Sequence, residues 1–71
     1  MTEPEPLQII MESSLQIAWD YLERSGEITD PQHVAEILLG SIKTQILRGE
    51  NRTLMLSNRA IAAVEQHRKA A

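Results

Sequence analysis

The chain has 71 residues, 42% of them hydrophobic and 24% charged, with a net charge of -3 and no cysteine. This length makes one domain at most, and Leu, Ile and Val together number 18, too many for an intrinsically disordered chain. Without cysteine there is no disulfide scaffold, no thiolate metal site and no cysteine nucleophile.

The longest uninterrupted apolar run is Ala60 to Val64, against the roughly 20 residues a bilayer requires. The first residues, Met-Thr-Glu-Pro-Glu-Pro, lack the basic-then-apolar order of a signal peptide. The expectation is a small soluble domain, cytoplasmic and without a membrane segment, formed by residues 1–71 with a disordered tail at 1–5 and a frayed end at 68–71. A chain of this size buries only about 60% of its unfolded surface, and one such core supplies roughly 3–5 kcal/mol. Self-association is the remaining way to add buried surface.

The first helix is expected over Pro6 to Arg24. Pro6 suits the first helical position, where its missing N–H costs nothing, and Gly26 suits a left-handed cap beyond the end. At about 100° per residue, Ile17, Ile10, Tyr21, Leu7, Ala18, Met11, Leu22, Leu15 and Trp19 form one apolar arc of roughly 200°. An ordinary surface helix needs about 100°. Glu12, Ser13, Gln16, Asp20, Glu23 and Arg24 take the other side. Ile9 falls outside the arc and is expected to be exposed or covered by an end of the chain.

The second helix is expected over Pro31 to Arg48. Asp30 is a good N-cap, because the following proline pushes it out of the helical region; a capping box from Thr29 to Gln32 is the alternative. Gly49 closes the helix. The apolar arc of Val34, Ala35, Ile37, Leu38, Leu39, Ile42 and Ile46 again spans roughly 200°. Ser41 and Gln45 sit inside it and need hydrogen-bond partners if buried.

The third helix is expected over Asn58 to Lys69, capped by Ser57, with Leu56 and Ile61 in the two positions of a hydrophobic staple. Its apolar stripe is short: Ala60, Ile61, Val64 and Ala63. In the connector before it, Leu54 and Leu56 alternate with Thr53 and Met55, a weak strand pattern that could pair only with a second chain. Residues 52–56 are therefore either an intermolecular strand or an extended connector.

Charge is unevenly spread. Residues 1–40 hold eight acids against Arg24 alone, a net of -7, while residues 41–71 carry a net of +4. Such polarity favours packing one half on the other, within a chain or between two. In the basic half, Arg52, Asn58, Arg59, Arg68 and Lys69 make the best nucleic-acid signal, since Asn and Arg at a recognition-helix N-terminus reach adenine and guanine edges. Against it stand the acidic total, the absence of a basic stripe, and a connector longer than the 3–4 residues of a helix-turn-helix.

His33 and Glu36 stand three apart and His67 is isolated, fewer than the three or four converging ligands zinc requires. No metal site, cofactor or catalytic residue is assigned. Glu12, Asp20 and Glu23 share the solvated side of the first helix, where no cleft would shift a pKa. Trp19 and Tyr21, at or near the arc edges, read as core or subunit interface, and Met11 and Met55 as gap fillers.

The expected fold is all-α: a long antiparallel helix pair and a shorter third helix, paired as a homodimeric bundle. The expected function is a non-catalytic interaction or regulatory module acting through self-association and an unidentified protein partner. Ile10, Ile17, Tyr21 and Ile37 are expected at the dimer interface. The alternative is a small nucleic-acid-binding regulator using the basic half.

Overall fold

The structure, a computed structural model, describes residues 6–70; the expected tail at 1–5 and residue 71 lie outside the described residues. Three helices form, α1 (Leu7–Arg24), α2 (Pro31–Leu47) and α3 (Thr53–Ala70), packed against one another, with no strand among the described residues. No described helix is long and apolar enough to cross a membrane.

Helix ends follow the sequence signals closely for α1 and α2. Pro6 is the N-cap of α1 rather than its first helical residue, and its carbonyl accepts from the Ile9 and Ile10 N–H groups. At the other end Gly26 has φ 71, and the Glu27 N–H reaches back to the Leu22 carbonyl at 2.9 Å. Gly49 repeats the device after α2, with φ 97 and Glu50 N–H bonded to the Gln45 carbonyl at 2.9 Å. Both are Schellman closures, in which a residue in the left-handed region lets the next N–H satisfy an orphan carbonyl. Asp30 caps α2, its side chain accepting from the His33 N–H at 3.3 Å. Gly26→Ala and Gly49→Ala are each expected to lower stability by about 1–2 kcal/mol, the cost of a Cβ in the left-handed region. Urea titration of each variant measures it.

The third helix differs from the sequence expectation. It begins at Thr53, not Asn58, and with 18 residues it matches α1 rather than being shorter. Residues 53–56 are its first turn, which removes the strand and extended-connector readings. Two local causes are visible. The Glu50 carboxylate accepts from the Arg52 N–H at 3.1 Å, fixing the chain at the helix entrance, and the Leu56 N–H bonds the Arg52 carbonyl at 2.9 Å. The helical register also places Leu56, Ala60 and Val64, four apart, on one fully buried stripe. A staple would have left Leu56 outside that stripe.

Ser57 is consequently not an N-cap. It is fully buried in the second turn, and its hydroxyl donates to the Leu54 carbonyl at 3.0 Å within the same helix. A lost cap would cost about 0.5–2 kcal/mol. Because this hydroxyl serves only a carbonyl of its own helix, Ser57→Ala is expected to change stability by less than about 0.5 kcal/mol, the scale of the helix-propensity difference. Thermal unfolding of the variant separates the two roles.

Helix order follows from three contacts. Gln45 near the end of α2 donates to the Leu56 carbonyl near the start of α3. The His33 ring at the start of α2 meets the His67 ring at the end of α3, centroids 5.0 Å apart. Those two helices therefore run antiparallel. Arg68 at the end of α3 reaches Glu27, just past α1, so α1 and α3 end on the same side. The closest association is of α3 with both other helices, and the α1–α2 contact is the slighter.

Among the described residues the buried core is Ala18, Leu22, Val34, Leu38, Ile42, Leu56, Ala60 and Val64. On α1 and α2 these residues occupy the middle of each wide apolar arc, and the arc edges stay half-buried or exposed. Gly40, in the middle of α2, costs about 0.5–1 kcal/mol relative to alanine, yet a Cβ there would meet nothing within 4 Å.

Candidate interaction surfaces

At about 100° per residue, Leu7, Ile10, Ser14, Ile17 and Tyr21 lie along one line of α1, spaced three and four apart. Ser14 is fully buried, its hydroxyl donating to the Ile10 and Met11 carbonyls of its own helix. The large side chains around it are not covered: Leu7 is 53%, Ile17 39% and Tyr21 48% exposed, with Ile10 half-buried. Three of the four expected interface residues thus share one stripe. The fourth, Ile37, lies elsewhere, half-buried on the side of α2 that faces α3. Leu47 and Leu54, near the α2–α3 connection, are also exposed, at 87% and 67%, and Ile9 is exposed as expected.

Between α2 and α3 runs a groove of about 710 Å³. One side is formed by Glu36, Ile37, Gly40 and Thr44 of α2 with Arg48 just past its end, the other by Arg59 and Ala63 of α3. Gln45 lies in its floor, buried. Its Nε2 donates to the Ser41 hydroxyl at 3.2 Å and to the Leu56 carbonyl at 3.1 Å, while its Oε1 is buried without a donor. The expected need of Ser41 and Gln45 for partners across a contact is met on the amide nitrogen side. A smaller depression between α1 and α2 contains Leu15, Trp19 and Ala35; Trp19 is half-buried against the core.

Three of the basic side chains in the basic half meet acids. Glu50 takes Arg52 on both carboxylate oxygens, at 3.0 and 3.2 Å, with Arg59 at 4.0 Å. Arg68 pairs with Glu27 at 3.2 Å. The hydrogen bonds from Arg52 pull the Glu50 carboxyl from 4.5 down to about 2, against an opposing effect of desolvation, and the same pair raises the Arg52 guanidinium. Asn58 and Arg59 are exposed, but they lie in the second turn of α3 rather than at its N-terminus. They cannot therefore present side chains as the first residues of a recognition helix do. Lys69 is exposed beside Glu27, Glu65 and Arg68.

A lowered folded-state pKa means that the unfolded chain binds the proton more readily, so stability from Glu50 is complete above about 4.5 and declines as pH falls toward 2. Glu50→Gln is expected to flatten the acid limb of the stability profile in that window and to leave it unchanged near pH 7 apart from a constant offset. Urea midpoints from pH 2 to pH 7, compared between the two chains, measure it.

The two histidines, separate in the sequence, meet edge-on across α2 and α3. Among the described residues no group of three or more His, Cys, Asp or Glu converges as a metal site would require. A comparison with protein-family models gives no match, and comparisons with curated proteins and with solved structures give none either.

Proposed function

We propose that this chain is a small, non-catalytic helical interaction module that acts through self-association and protein binding. The observation that carries the reading is the apolar stripe of α1: Leu7, Ile17 and Tyr21 remain between 39% and 53% exposed along a helix whose opposite side is polar. Among the described residues the core has eight buried apolar side chains, few for a chain without disulfides, and burying more apolar surface against another chain is the remaining source of stability. The positions expected at a dimer interface fall on two faces, Ile10, Ile17 and Tyr21 on the stripe and Ile37 in the α2–α3 groove. A module so built can hold a copy of itself on one face and a different protein on the other. The nucleic-acid alternative gains no support, since Arg52, Arg59 and Arg68 are drawn to Glu50 and Glu27.

Sedimentation equilibrium at tens of micromolar tests the self-association. The expected mass is twice the 8.0 kDa of the chain. A mass of one chain at every concentration would remove it.

A further inference from the structure

We infer that the α2–α3 groove is the seat of a second copy of this chain, with α2 crossing its counterpart antiparallel about a two-fold axis near Gly40 and Thr44. This rests on the self-association just proposed and assigns it to the groove, leaving the α1 stripe of Leu7, Ile17 and Tyr21 to the other protein partner.

The α2 side of the groove is self-complementary. Glu36, Gly40 and Thr44 of α2 and Arg48, its C-cap, are spaced four apart and form one ridge, with an acid at one end, a base at the other and small side chains between. A two-fold axis through the middle of that ridge sets each Glu36 against the Arg48 of the other chain, so one surface supplies both partners of two ion pairs. Glu36 and Arg48 are exposed, and neither is in a salt bridge among the described residues.

Gly40 marks the point of closest approach. It breaks the helix-propensity rule in the middle of α2, and beyond the adjoining backbone of its own helix nothing comes within 4 Å of where a Cβ would stand. No packing demand inside the chain accounts for it; the approach of a second helix does. Ile37, half-buried at the groove edge, is then covered by the copy.

Charge reversal tests the pairing with little risk to the fold, because both side chains are exposed. Glu36→Arg and Arg48→Glu are each expected to weaken the dimer at least about tenfold in sedimentation equilibrium, and the double variant to recover most of that loss, as a coupled pair requires. Gly40→Leu should be monomeric while keeping full helicity. Ile17→Glu should remain a dimer. If the wild type is a dimer that all three α2 changes leave intact and Ile17→Glu splits, the groove assignment is overturned and the self-association moves to the α1 stripe. If the wild type sediments as one chain throughout, the proposed self-association and this surface fall together.

Discussion

Leu38→Ala is expected to leave most of the chain unfolded at 25 °C. Leu38 stands at the centre of the α2 apolar arc and is fully buried, so the substitution removes a packed side chain from a site enclosed by neighbours. Leucine-to-alanine changes in such sites cost about 2–5 kcal/mol, combining lost transfer energy with the cavity left behind. A core in a chain of this size supplies roughly 3–5 kcal/mol in all, so the loss is comparable to the whole stability. Far-UV circular dichroism at fixed protein concentration measures it, since any self-association makes stability depend on concentration. Leu47→Ala is the control: Leu47 is 87% exposed and its truncation is expected to stay within about 0.5 kcal/mol. A Leu38→Ala protein that melts like the wild type would mean that α2 does not pack as described.

Ala60→Leu is the second large effect, and it tests the register of α3. Ala60 lies fully buried between Leu56 and Val64 on the stripe that α3 presents to the core. Three added carbons have no space there and must force off-rotamer side chains or shift the helix, at a cost of about 1–3 kcal/mol. Ala62, two residues on, is exposed, so Ala62→Leu is expected to be nearly neutral. The pair of variants reads out which side of α3 faces inward. Equal melting points would contradict the stripe.

Much of the candidate surface was legible from periodicity. The excess width of the two arcs pointed to Ile10, Ile17 and Tyr21, or else Ile37 and Val34, as poorly covered; Ile17 and Tyr21 are exposed, whereas Val34 is buried. The placement of Ile37 was not legible, because a helical wheel gives the angle of a residue about its own axis and says nothing of which neighbour lies at that angle. The same limit hid the meeting of His33 with His67, thirty-four positions apart and brought together only by the antiparallel run of α2 and α3. It also hid the engagement of Arg68 with Glu27, although the opposed charges of the two halves of the chain suggested that such pairs would form.

What the sequence by itself determined is the set of helices and the devices that end two of them. Gly26 and Gly49 close α1 and α2 because an orphan carbonyl near each end requires a residue that accepts positive φ. Asp30 opens α2 because the following proline keeps it extended and its carboxylate can accept from His33. These are interactions among residues a few positions apart, and local chemistry decides them. At the start of α3 the local signals agreed on a later beginning: Ser57 as a cap, and the alternation of Thr53 to Leu56 as extended chain before it. Tertiary packing overrode both. Burying Leu56 in line with Ala60 and Val64 gains more than an exposed serine cap could return, and Glu50 holds Arg52 so that the extra turn can begin. Ser57, the residue expected to end the connector, is for that reason enclosed in the helix it was expected to start.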